Sequence, residues 1–126
     1  MTDYLDLEAG AGPYREMAEW LVQRLVAGDA AEVIRNFSPN FRDHLGLDTV
    51  ERVFNEQMLP FFAGATGLGN SCTTTYTHDA FGSQGYAFYF TLKGANGEKP
   101  FAMYLVHEAG RIVLANVVLD KVYRSQ

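Results

Sequence analysis

At 126 residues the chain has room for one domain, and 48% hydrophobic with 20% charged residues makes it globular rather than disordered. A net charge of -5, with ten Lys and Arg that nowhere group, excludes a phosphate-binding face and so nucleic acid as a partner. Cys72 is the only cysteine, which rules out an internal disulfide or a thiolate metal cluster.

Residues 1–12 end in Ala-Gly-Ala-Gly, just before Pro13, and read as a flexible lead-in to a single domain over 13–124. Met1 to Gly10 holds acids but no Lys or Arg, unlike the head of a secretory signal. Pro13 suits a first helical turn, after which Tyr14, Met17, Ala18, Leu21 and Leu25 share one stripe. Gly28 stops that helix, and Asp29 caps a short one carrying Val33, Ile34 and Phe37. Ser38-Pro39 breaks it, leaving 40–46 irregular with Phe41 and Leu45 as inward anchors. Asp48-Thr-Val-Glu51 has the form of a capping box, opening a helix with Val50, Val53, Phe54 and Met58 that should end before Pro60. Residues 61–69 are a glycine-rich connection, and from Ser71 onward the pattern alternates as strands do. The longest apolar stretch, Ile112 to Leu119, is too short to cross a bilayer and is broken by Asn116. The expected location is cytoplasmic, with no membrane partner.

Three N-terminal helices and about four antiparallel strands make an α+β domain, helices gathered on one face of the sheet. The run Leu25-Val-Ala-Gly-Asp29, then Phe37-Ser-Pro-Asn-Phe41, then a capped helix ending at Pro60, then aromatic-rich hairpins resembles the nuclear-transport-factor-2-like (cystatin-like) superfamily. The resemblance covers roughly residues 14–123 and rests on element order and spacing. It implies a curved sheet wrapped around a long helix into a cone, whose open end often binds a ligand. Members include steroid isomerases, dehydratases, epoxide hydrolases and polyketide cyclases beside non-enzymatic binding and dimerisation domains. In the isomerase members a catalytic Asp comes from about the region of Asp43 and His44, but no surrounding motif matches here and the role is not carried over.

Two hairpin signals sort the strand residues into faces. With Asn96-Gly97 and Ala109-Gly110 as two-residue loops, Tyr86 opposes His107, Phe88 opposes Leu105, Met103 opposes Asn116, and Glu108 pairs with Arg111. One face then carries Tyr86, Phe88, Phe90, Leu92, Phe101, Met103, Leu105, His107, Leu114 and Asn116 and packs on the helices. The other, with Tyr89, Tyr104, Val106, Val113 and Val117, is more apolar than a solvated face needs, which points to a homodimer. If Gly82-Ser83 turns the preceding hairpin, Asp79 opposes Tyr86, and Tyr76 joins the dimer face. A one-residue slip would exchange His78 for Asp79.

Asp79, Tyr86 and His107 then form a polar row at one end of the apolar face. As a pocket set it would supply a carboxylate base tuned by desolvation, with imidazole and phenol as donors to an oxyanion. As a rim set it would be wet and inert. A buried Asn116 needs a partner, either protein, water or ligand. Tyr14 and Trp20 are placed to close the mouth of the cone over Phe88, Met103 and Leu105, or simply to pack. His44, His78 and His107 show no metal-ligand spacing, no phosphate loop precedes a helix, and no cofactor is implied. Cys72 reads as a small packed residue. Two functions follow: a non-catalytic domain binding a small hydrophobic molecule or dimerising, or a cofactor-independent isomerase, dehydratase or cyclase using Asp79, Tyr86 and His107.

Overall fold

The computed structural model describes residues 3–124, with side chains from residue 10 onward. Helix α1 (Asp3–Val26) is longer than its sequence stripe. Of the expected lead-in, residues 1–2 lie outside the described residues, and the rest forms the first turns of this helix. The extension is a tertiary effect. Ala11 is buried in the core, and Gly10 lies so close to Tyr86 that a Cβ there would meet its hydroxyl at 2.6 Å. Farther along, Ala18, Leu21, Val22 and Leu25 form the buried stripe.

Gly28 ends α1 at φ 81°, and Asp29 accepts the Glu32 N–H at 3.2 Å to start α2 (Ala30–Arg35). Ser38-Pro39 proves to be a start as well as a break. Ser38 Oγ accepts the Phe41 N–H at 3.3 Å, and Pro39 fills the first turn of α3 (Pro39–Leu45), where an irregular segment was expected. Phe41 packs inward, but Leu45 is exposed. Gly46, at φ 90°, serves as the N-cap of α4 (Leu47–Val53), so Asp48 lies within the first turn and makes no capping bond.

The chain continues past Pro60 through a π-helical turn (Phe54–Met58) into α5 (Leu59–Phe62). The wide turn lets Leu59 N–H reach Phe54 O and puts Pro60 where a helix needs no N–H. Phe62 is thereby kept helical and fully buried.

The sheet is antiparallel and five-stranded, one strand more than expected. Its strands are β1 (Ala65–Leu68), β2 (Thr73–His78), β3 (Gln84–Gly94), β4 (Gly97–Glu108) and β5 (Arg111–Leu119). The order is β1-β3-β4-β5, with β2 sharing the β1 side of β3. On the opposite border Phe37 forms a parallel bridge to Leu114, held by Ser38 N–H to Leu114 O and Leu114 N–H to Asn36 O, both 2.8 Å.

Helices and sheet meet over one inner face. Phe88, Phe101, Met103 and Leu105 have 0% exposure there. Ring contacts run from Phe88 to Phe90 (6.0 Å), to Phe101 (5.5 Å) and to Phe62 of α5 (5.0 Å). Lys99 Nζ sits 4.3 Å over the Phe61 ring and donates to Phe61 O, closing that end. The outer face is partly covered by Phe41, which packs with Val106, Val113 and Ala115.

The register departs from expectation at three places. In the β3–β4 hairpin Gly94 pairs with Gly97, and among the turn residues only Gly97 takes a positive φ (110°), so Ala95-Asn96 form the loop. The slip is two residues and leaves every face unchanged, although Tyr86 now opposes Leu105. In β4–β5, Ala109 and Gly110 (φ 54° and 84°) form the expected turn and Glu108 pairs with Arg111. A bulge then shifts the register, so Tyr104 opposes Asn116 and Met103 opposes Val117. Asn116 is thereby turned outward and Val117 inward, the reverse of the expected faces. In β2–β3, Tyr76 opposes Tyr86, and the loop is Asp79–Ser83 rather than Gly82-Ser83. The odd slip moves Tyr76 to the inner side.

Candidate functional site

A cavity of about 410 Å³ opens where β2 and β3 run beyond the packed part of the inner face. Tyr14 of α1, Tyr76, Thr77 and His78 of β2, and Gln84, Gly85 and Tyr86 of β3 line it. The three phenols are stacked by their elements. Tyr14 meets the Tyr86 ring edge-on at 4.9 Å, and Tyr76 lies against its other side at 5.0 Å. Tyr86 is 8% exposed whereas Tyr76 is 61% exposed, so one ring is the wall and the other an open platform. Burial pushes the Tyr86 phenol above its usual range, helped by the Tyr76 and Tyr14 phenols beside it. It stays neutral and can donate. Gly85 lets β3 lie close against β4 at the edge of the cleft, because a Cβ there would meet Leu105 O at 1.9 Å. Among the described residues, the lining holds no Asp, Glu, Lys or Arg.

The expected polar row is not assembled there. Asp79 Oδ1 accepts the Phe81 and Ser83 N–H groups at 2.9 and 3.0 Å, which commits it to the turn. His107 is exposed at the end of β4 and lines none of the cavities described here. Of the three, only Tyr86 reaches the cleft. Asn116 is exposed and folds back onto the Val117 N–H at 2.9 Å. Phe88, Met103 and Leu105 are sealed in the core and offer no surface to a ligand. Trp20 is exposed and is not among the cleft-lining residues, with the Arg24 guanidinium 6.0 Å from its ring. Tyr14 lines the cleft against Tyr86. Asp43 and His44 are exposed on α3.

A smaller cavity of about 210 Å³ lies on the outer face and does bring Asp79 and Asn116 together, with His78, Tyr104, Phe41 and Val118. Asp79 Oδ2 is buried there without a partner.

The expected dimer face is altered by the same register changes. Tyr76 and Val117 belong to the inner side, and Val106 and Val113 are buried beneath Phe41. Tyr89 and Tyr104 remain outward, their hydroxyls 3.4 Å apart, with Tyr123 5.3 Å from the Tyr89 ring. Burial and the neighbouring Tyr89 phenol push Tyr104 up to about 12. Glu108 does not join Arg111 in an ion pair. Its carboxylate accepts Ser38 Oγ–H and the Asn40 N–H (2.9 Å), while the Arg111 guanidinium donates to Arg35 O at 3.1 Å.

Cys72 is half-buried against the core, and burial pushes its thiol up, away from the reactive thiolate. Among the described residues no three His, Cys, Asp or Glu side chains group to hold a metal ion, and no helix is long and apolar enough to cross a membrane.

Tyr76, Thr77 and Gln84 were not foreseen as site residues. The signal was present: Asp79 followed three residues later by Gly82 is the pattern of a type I turn started by an Asx side chain, and it fixes the longer loop. No protein-family model, curated protein or solved structure matches the chain.

Proposed function

We propose that the protein is a non-catalytic binding domain whose ligand is a small, uncharged, largely apolar molecule held in the tyrosine cleft. The observation that carries this is the described lining: three phenols, an imidazole and an amide, with no Asp, Glu, Lys or Arg among the described residues, around about 410 Å³. A flat apolar group would stack on Tyr76, while Gln84, His78 and the phenols orient its polar edge. Proton-transfer chemistry gains no support in the cleft, because Asp79 holds its turn through Oδ1 and lines the outer-face cavity instead, and His107 lies outside the cleft. The element order, with helices over one face of a sheet of long hairpins, favours reading the chain as a divergent nuclear-transport-factor-2-like cone with its ligand at the mouth rather than within.

Benzamide, neutral and planar, tests the site. It should shift the Tyr14, Tyr76 and Tyr86 ring resonances, and Tyr76→Ala should abolish those shifts without altering the fold. Shifts confined to other surfaces, or unchanged in the variant, remove the cleft from consideration.

The Tyr89–Tyr104 pair favours a second, compatible role in self-association through the outer face. Two half-buried phenols beside Val118 are the residue types that interface centres collect. Tyr104→Asp should then be monomeric by light scattering where the parent chain is dimeric.

A further inference from the structure

We infer that the free border of β2 is a docking strip for an extended, uncharged polypeptide segment, which joins the sheet as an added strand and sets one side chain into the tyrosine cleft. For the place of that side chain the inference rests on the cleft reading above.

The sheet has three stretches of border, and they differ. The β5 border is taken up at Leu114 by the Phe37 bridge. The β1 border is only four residues long and is broken by a register shift between Ala65 and Gly67. The β2 border has neither protection. Its six residues pair with β3 in unbroken register, from Thr73 opposite Tyr89 to His78 opposite Gln84. Among the described residues, no backbone group of 73–78 bonds to the backbone of any segment other than β3, and the one side-chain contact is Cys72 Sγ–H to Thr73 O at 3.8 Å. Natural edge strands are usually blunted by Lys, Pro, a bulge or an inward charge. Thr-Thr-Thr-Tyr-Thr-His contains none of these, and its β-branched residues favour a flat, extended backbone.

The chemistry of the border names its occupant. An edge strand presents alternating N–H and C=O groups, and another extended backbone at roughly 4.8 Å is the ligand that satisfies them in series. Tyr76, Thr77 and His78 belong both to this border and to the cleft, so a strand laid along β2 passes its mouth. Charge limits the sequence of that strand. Among the described residues, neither β2 nor the cleft lining carries Asp, Glu, Lys or Arg, so a charge arriving at the cleft would lose hydration and gain no ion-pair partner among them. Thr and aromatic residues are the fitting complement, since Thr–Thr and aromatic–β-branched pairs stabilise adjacent strands.

The probe is a peptide copying residues 73–78 with both ends blocked, titrated onto the full chain and read by amide hydrogen exchange. At about ten times Kd, the exposed amides of β2 should exchange about tenfold more slowly, and the Tyr76 and Tyr86 rings should shift. The same peptide N-methylated at every residue should give no protection. Absence of slowing across 73–78, or equal protection by the methylated peptide, overturns strand docking. Protection that grows with protein concentration alone, without peptide, assigns the border to a second copy and also overturns it. If benzamide still shifts the cleft tyrosines in those cases, the cleft survives and only the strand proposal falls.

Discussion

Phe88 and Tyr89 are neighbours in β3 and face opposite ways, and their surroundings differ in kind. Phe88 has no exposed surface and sits in a continuous layer of rings and helix side chains. Tyr89 keeps part of its ring in solvent and shares its hydroxyl with Tyr104, under cover supplied only by Tyr123 and, farther along, by Phe41. One face is closed by a layer of elements, the other by single side chains. Apolar composition is therefore a poor guide to what a face does. The outer set looked like an interface, and four of its six expected members are covered from within the chain or turned inward.

The sharpest test of that contrast removes one ring from each face. Phe101→Ala empties a fully buried site contacted by Phe61, Phe62 and Phe90, and should cost about 3–5 kcal/mol in urea unfolding. Tyr89→Ala should cost about 1 kcal/mol, because its half-buried ring is replaced by water rather than by a sealed void. Equal losses would mean that the outer face is as much a core as the inner one.

Glu108 gives the next largest effect and tests how α3 is fastened over the outer face. It is a buried carboxylate holding Ser38 Oγ–H and the Asn40 N–H, at the start of the helix that delivers Phe41. Glu108→Ala leaves both donors unpaired and should cost about 1–3 kcal/mol. Exchange protection should fall first at residues 38–45. Loss spread evenly over the molecule would show that α3 is not a separately anchored piece.

What the sequence disclosed follows from the same residues. Helix stripes and the alternation after Ser71 place the inner core, because each is a local period. Faces survive an even register error, as at Gly94–Gly97, and invert after an odd one, as between Tyr76 and Tyr86. The bulge near Tyr104 has no local mark, since nothing in Leu-Ala-Asn-Val says which residue will be the extra one. Likewise α3 depends on Glu108, sixty-eight residues beyond Asn40, and no window of sequence holds both. The site was half legible for that reason: Tyr14 and Tyr86 were in place, whereas Tyr76, Thr77 and Gln84 needed the true loop.

The smallest expected effect is an alkaline one, and it separates Tyr104 outside from Tyr86 inside. Both phenols are raised in the folded protein, Tyr104 to about 12, mainly by burial. A phenol whose folded value lies above the ordinary value near 10 favours the folded state while neutral in both forms. Its contribution is full below about pH 10 and is lost as pH rises through the folded value near 12, because the unfolded chain gives up the proton first. The phenols' contribution should therefore be flat approaching pH 10 and fall between about 10 and 12, above the loss from the raised Cys72 thiol that begins at about pH 9. Tyr104→Phe should flatten part of that fall, leaving a remainder that Tyr86→Phe removes. An unchanged slope in Tyr104→Phe would mean that solvent reaches the outer phenol as freely as it reaches an unfolded one.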